Sequence, residues 1–154
     1  MKLREYVPTD FEFLWELDQE CFPPEIAYSR KELAYYLHGP GAIAVLATDD
    51  SRILGFILGH EYRRNAGHII TLDVLPSARA QGIGSRLMRA VEDRFRMRSC
   101  RSLLLEVAVN NFVAIQFYKE HGYALLKTLP RYYPGGVDAL LMGKPLDSSS
   151  GTLG

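Results

Sequence analysis

Residues 68–108 constrain the fold more than any other stretch of the chain. His68 to Val74 is a short β-branched and apolar run of strand length. After a loop from Pro76 to Gln81, the apolar residues Ile83, Leu87, Met88, Val91 and Phe95 recur at the spacing that lines one helix face, and the pattern predicts a helix ending near Cys100. Leu103-Leu104-Leu105-Glu106-Val107 then reads as a buried strand interrupted by one carboxylate. Strand, helix and strand in that order make a βαβ crossover, so the two strands are expected to be parallel and the connection right-handed.

The flanking segments extend this unit into a mixed α/β sheet. Met1 to Val7 reads as a first strand, and Pro8-Thr9-Asp10 offers a cap for an amphipathic helix from Phe11 to Cys21. Phe22-Pro23-Pro24-Glu25 cannot continue that helix, because proline lacks an N–H and pushes its predecessor toward an extended conformation. Ser29 and Glu32 form a capping box for a second helix, Arg30 to Leu37, which His38-Gly39-Pro40 closes. Strands at Ala42–Ala47, Ile53–Tyr62 and His68–Val74, with turns at 48–51 and Asn65-Ala66-Gly67, describe an antiparallel meander. Asn110 or Asn111 can cap a last helix with apolar positions Val113, Ala114, Phe117 and Tyr118, ended by Gly122. Strands at Tyr123–Leu129 and Val137–Met142 finish the order βααβββαβαββ.

With 154 residues the chain has room for one domain, taken as 1–146, followed by a polar, glycine-rich and flexible tail at 147–154. Eighteen Lys and Arg balance eighteen Asp and Glu, so no whole-molecule field draws it to nucleic acid or to an anionic membrane. No signal peptide and no run of 18 apolar residues is visible, and a cytoplasmic location is expected. Cys21 and Cys100 are too far apart to suggest a disulfide framework or paired zinc ligands, and the four histidines show no helical i,i+4 pair, so no metal is expected.

Chemistry concentrates in three places. Arg79-Ala80-Gln81-Gly82-Ile83-Gly84-Ser85 joins a strand to a helix, where free N–H groups and the helix dipole favour an anion and the glycines let a phosphate approach the backbone. It lacks the Gly-Lys-Ser/Thr of a Walker loop, and Leu87 stands where a dinucleotide fingerprint needs its third glycine; a tight turn into a helix is the plain alternative. Arginines crowd the stretch from Arg79 to Arg101, either as a field for a polyanion or as a solvated helix face. Glu106, closing a run of buried leucines, suits a general base or a strand-end ion pair. Tyr118, half-polar on an apolar helix face, reads by itself as a core tyrosine with a satisfied hydroxyl.

Together, Arg79-x-x-Gly82-x-Gly84 opening a helix, Leu105-Glu106-Val107, Asn111 and Ala114-Ile115-x-Phe117-Tyr118-x-x-x-Gly122-Tyr123 closely resemble the GNAT superfamily of N-acetyltransferases. The resemblance spans nearly the whole chain. Leu105-Glu106-Val107, Phe117-Tyr118 and Arg131-Tyr132-Tyr133-Pro134 look most like the ribosomal-protein-alanine and related protein N-terminal acetyltransferases. It implies a GNAT fold in which a bulged strand splays from its parallel neighbour. It also implies acetyl-CoA as co-substrate, without a metal: backbone at Leu72, Asp73 and Val74 beside pantetheine, Arg79 and the amides of Ala80, Gln81, Gly82, Ile83, Gly84 and Ser85 at the pyrophosphate, and Asn111 on the pantetheine arm. Splayed strands leave unpaired peptide groups, which the two amides of pantetheine can satisfy. Glu106 is then the base and Tyr118 the acid, without a covalent acyl-enzyme, since neither cysteine lies in the motif region.

By the same resemblance the acceptor is a primary amine, foremost a protein or peptide N-terminus, held between Phe22, Pro23 and Tyr28 on one wall and Tyr132 and Tyr133 on the other. The same tyrosines also suit mere loop packing. Pro24-Glu25-Ile26-Ala27 alters the first wall relative to the shorter pattern of alanine-specific members, and Asp73 stands where a small residue is common. Two other readings remain: an acetyltransferase for lysines or small amines, and an acyl-CoA sensor without catalysis. A monomer or a weak homodimer is expected.

Overall fold

The computed structural model describes residues 1–147. Of the tail expected at 147–154, residues 148–154 lie outside the described residues, and Asp147 pairs with Arg96 at 3.5 Å. Seven strands, β1 (Lys2–Glu5), β2 (Ala42–Asp49), β3 (Arg52–Arg63), β4 (Ala66–Val74), β5 (Ser102–Ala108), β6 (Ala124–Leu129) and β7 (Ala139–Pro145), form one sheet in the order β1-β2-β3-β4-β5-β7-β6. Four helices, α1 (Phe11–Cys21), α2 (Arg30–Leu37), α3 (Ile83–Met97) and α4 (Phe112–Glu120), complete the order βααβββαβαββ. Every neighbouring pair is antiparallel except β4 and β5, the parallel pair of the crossover.

The sheet is covered on both faces, and β2 shows why. Its residues alternate sides: Ile43, Val45 and Ala47 pack with Leu87, Val91 and Phe95 of α3, while Ala44 and Leu46 pack with Leu14, Leu17 and Leu33 of α1 and α2. The α3 stripe read from the sequence is the buried one, with Leu87, Met88, Val91 and Phe95 all at 0% exposure. Ser29 Oγ accepts the Glu32 N–H and Glu32 accepts the Ser29 N–H, which starts α2 as the capping box requires.

Several boundaries differ from the sequence reading. Ala66 and Gly67 belong to β4 rather than to a turn; the turn falls on Arg64 and Asn65, with Asn65 at φ 66°. Gly67 serves close packing, since a Cβ there would lie 2.6 Å from both Phe95 and Leu103 side-chain atoms. Asp10 does not cap α1; its carboxylate accepts Val7 N–H at 2.9 Å and pairs with Arg4, stabilising a 3-10 turn one step earlier. α3 stops at Met97, and Ser99 at φ 66° redirects the chain. β7 begins at Ala139 and runs to Pro145 because it follows β5 over its whole length; Val137 and Asp138 instead bond Tyr133 N and Arg131 N. On α4, Val113 is 84% exposed and no residue is fully buried, because this helix overhangs a cleft.

Candidate active site

The cleft originates in the register of three strands. β4 and β5 pair only at Ala66 with Ser102, Gly67 with Leu103 and His68 with Leu104. Opposite β3, the register passes from Gly59–Ile69 to Leu58–Thr71, so Ile70 is an extra residue in β4. Such a bulge bends its strand and increases the twist, and beyond it β4 no longer pairs with β5. The Tyr28 hydroxyl donates to Ile70 O at 3.3 Å, satisfying a carbonyl of the bulge. The resulting cleft has a volume of about 630 Å³.

Its floor is a row of peptide groups. Leu75 N–H donates to Leu54 O at 2.8 Å, and a Cβ on Gly55 would lie 2.6 Å from Asp73 O, so Asp73 and Leu75 direct their peptide groups at β3. Backbone polar groups alternate sides along a strand, which turns those of Leu72 and Val74 toward the side vacated by β5. Asp73, grouped with them from the sequence, faces β3 and is 1% exposed. Arg79 Nε and Cys21 Sγ both donate to Val74 O, at 3.1 and 3.5 Å.

At one end of the cleft, Ala80 (φ 65°) and Gly82 (φ 79°) turn the chain into α3. Gly82 is the N-cap and brings no capping side chain, so the first-turn N–H groups of Ile83, Gly84 and Ser85 have no side-chain cap. A Cβ on Gly82 would meet nothing within 4 Å. This open, donor-lined loop fits a phosphate. Ser85 Oγ is also tied to His121 Nε2 at 2.9 Å, fixing the loop to α4. Asn111 caps α4 through Oδ1, which accepts Ala114 N–H at 3.2 Å, and its amide NH₂ remains beside the cleft.

At the other end Glu106 meets His68: Nε2 lies 2.7 Å from Oε1, with the two side chains 22% and 18% exposed. The sequence reading places His68 in a strand but not in the site. Parallel register could have revealed it, since His68 stands opposite Leu104, two residues and therefore one side-chain period from Glu106. Burial, then the charge of Asp73, raises the Tyr118 phenol far above its ordinary value, so it stays protonated.

Phe22, Tyr28, Tyr132 and Tyr133 line the mouth beside Glu106. Tyr132 and Tyr133 pack edge to face at 4.9 Å. Pro23 and Gln81 are exposed and outside the lining. Cys21, set aside in the sequence, does reach the cleft; burial pushes its thiol up to about 11, which opposes a nucleophilic thiolate. No group of three or more His, Cys, Asp or Glu among the described residues is arranged to hold a metal, and no helix among them is long and apolar enough to cross a membrane.

The sheet is split at its one parallel pair, with bare helix-start amides at one end of the split and a carboxylate at the other, an arrangement suited to a ligand that carries a phosphate and peptide-like amides. The chain belongs to the acetyltransferase (GNAT) family, whose model matches residues 11–123, and it is an N-acetyltransferase. Members of this family use acetyl-CoA. An uncharacterized N-acetyltransferase of Methanocaldococcus jannaschii is 36% identical over 154 residues, covering 99% of this chain and 97% of that one. N-alpha-acetyltransferase 30 of Schizosaccharomyces pombe is 31% identical over 116 residues, 73% of this chain and 77% of its own. Among solved structures, Ard1 from Thermoplasma volcanium superposes with a TM-score of 0.88 at 28% identity, covering 96% of this chain and 98% of that one.

Proposed function

We propose that the protein transfers acetyl from acetyl-CoA to the N-terminal α-amine of a protein or peptide, in a ternary complex and without an acyl-enzyme. The observation that carries this reading is the Glu106–His68 pair, set where the aromatic mouth meets the split between β4 and β5. Relatives named N-alpha-acetyltransferase support the choice of acceptor.

Acetyl-CoA supplies an activated acetyl group. The N–H groups of Ile83, Gly84 and Ser85 would receive its diphosphate, and the inward peptide groups of Leu72 and Val74, with the Asn111 amide, would pair with pantetheine. Val74 N–H would polarise the thioester carbonyl, as in an oxyanion hole.

The acceptor amine must be neutral when it attacks. An α-amine of pKa 7.7–8.0 is neutral to at most roughly one part in six at pH 7, and a lysine of pKa 10.4 to roughly one in 2,500. Glu106, oriented by His68, takes the ammonium proton, directly or through water; the neutral amine attacks the acetyl carbonyl, the C–S bond breaks as the C–N bond forms, Tyr118 gives its proton to the departing thiolate, and the second proton lost by the nitrogen restores the phenol. Phe22, Tyr28, Tyr132 and Tyr133 bound the space in front of Glu106 and would grip an extended backbone with little loss of entropy.

The test is thiol release from acetyl-CoA with short peptides differing in their first two residues, with the modified atom located by mass spectrometry. Acetylation at the α-amine supports the reading. Turnover confined to lysine side chains or free amines removes the acceptor, and no turnover on any amine removes the activity.

A further inference from the structure

Two buried acids have no part in the chemistry above. Asp18 of α1 is 0% exposed and Asp73 of β4 is 1% exposed. The Thr71 hydroxyl lies between them, bonded to Asp73 Oδ1 and 3.4 Å from Asp18 Oδ1. Asp18 Oδ2 accepts the Tyr28 N–H at 2.8 Å. Asp73 Oδ2 is buried and has no hydrogen-bond partner among the described residues.

A single hydroxyl has one hydrogen to give, so it cannot donate to both carboxylates. Two carboxylates this close, out of water, cannot both ionise without a buried cation. The groups that face the pair are Cys21 from α1, Tyr118 from α4, the Tyr28 amide from the loop after α1, and Arg79 from the loop after β4. Arg79 is exposed and already bonded to Val74 O and Cys21. β3 offers Phe56 opposite Asp73. Burial raises both carboxyls, and the neighbouring Asp18 drives Asp73 further, well above the ordinary range, while contact with Asp73 and the Tyr28 N–H favour charge on Asp18.

The pair also sits at a junction. Through Tyr28 N–H it holds the 22–28 loop, which forms one wall of the acceptor mouth, and through Asp73 it holds the stretch of β4 whose neighbours Leu72 and Val74 face the cleft. We propose that Asp18 and Asp73 share one proton and act as positioning residues that fasten the acceptor wall to β4, so that acceptor binding weakens when the proton is lost. This rests on the acceptor reading above. Loss of the proton sets two buried carboxylates against each other; Asp18, carried on α1 and held to β4 by the 3.4 Å Thr71 contact, is the one displaced, and it takes with it the Tyr28 N–H that it holds at 2.8 Å. The diphosphate loop is held separately by Ser85–His121 and the β4 backbone at 71–74 by its pairing with β3, so acetyl-CoA binding is expected to be unaffected.

Two measurements test this. Titration of ¹³C-labelled aspartate carboxyls by NMR should show one of the pair still protonated at neutral pH; both ionising in the ordinary range overturns the proposal. Steady-state kinetics then compares wild type with Asp18→Asn, whose amide can still accept Tyr28 N–H and donate to Asp73 but carries no proton to lose. Above the NMR midpoint, wild-type peptide kcat/KM should fall relative to Asp18→Asn by up to tenfold per pH unit, mostly through KM, with the KM for acetyl-CoA unchanged. Superimposable profiles overturn it. Asp18→Ala, which removes the anchor, should raise peptide KM at least about tenfold at every pH. A shared proton seen by NMR in a protein that acetylates no peptide would keep the pairing and discard the acceptor reading instead.

Discussion

Replacing Gly82 with alanine separates backbone strain from ligand contact. Gly82 sits at φ 79° and ψ 7°, a conformation that costs a residue with a Cβ about 1–2 kcal/mol. Alanine recovers part of this by restricting the unfolded chain, so a net loss near 1 kcal/mol is expected, or about 2–4 °C in Tm for a chain this size. The new methyl meets nothing within 4 Å of the free protein, so no further clash adds to that figure. What it meets is the ligand. Acetyl-CoA at 100 times its Kd stabilises the native state by about 2.7 kcal/mol, which corresponds to a rise of about 5–10 °C in wild type. A methyl at the diphosphate position should cut that rise by more than half in Gly82→Ala. The assay is thermal unfolding with and without acetyl-CoA, using Ala80→Gly as the control. Ala80 at φ 65° already bears the same strain, so its glycine variant should gain about 2–4 °C without ligand. If Gly82→Ala lost its 2–4 °C yet kept the whole acetyl-CoA shift, the amides of this loop would not be the diphosphate site.

Other changes address the chemistry and the packing. Glu106→Gln should lower kcat about 10²-fold or more while keeping the acetyl-CoA thermal shift, since the base is lost and the binding loop is not; stopped-assay kcat values at saturating peptide decide it, and an unchanged rate removes Glu106 as the base. Tyr118→Phe should depress kcat by a similar factor with both KM values little changed; because burial keeps the phenol protonated, wild-type rates should show no alkaline loss assignable to Tyr118 below about pH 10. Gly67→Ala places a methyl 2.6 Å from Phe95 and Leu103 atoms, both residues at 0% exposure, and should cost about 1–3 kcal/mol in urea unfolding; an unchanged midpoint would show that the strand crossing is not tightly packed.

What the sequence revealed and what it hid have physical reasons. Element order and helix faces depend on periodicity and caps, which are local: Ser29 with Glu32, and Leu87, Met88, Val91 and Phe95, behave as read. Gly82 and Gly84 open α3 because only a residue without a side chain leaves that helix start bare. The Glu106–His68 contact depends on which residue of β4 stands beside which residue of β5, a relation between distant segments that no local pattern encodes. Cys21 reaches the cleft for the same reason, as α1 crosses the end of β4. Gly67 reads as a turn residue yet lies in β4, because a glycine required by packing and one required by a turn look identical in the sequence. The exposed face of α4 shows the same limit, since Val113 is apolar toward a cleft rather than toward the sheet.

The central claim is that acetyl-CoA lies in the split between β4 and β5, with its diphosphate at the start of α3 and its acetyl group between Glu106 and Tyr118. A crystal structure of the complex with acetyl-CoA tests it most directly. The account predicts pantetheine bonded to the backbone of Leu72 and Val74, phosphate oxygens on the N–H groups of Ile83 to Ser85, and the thioester sulfur within hydrogen-bond reach of the Tyr118 hydroxyl. A ligand bound outside the split, or a thioester remote from both Glu106 and Tyr118, would contradict it.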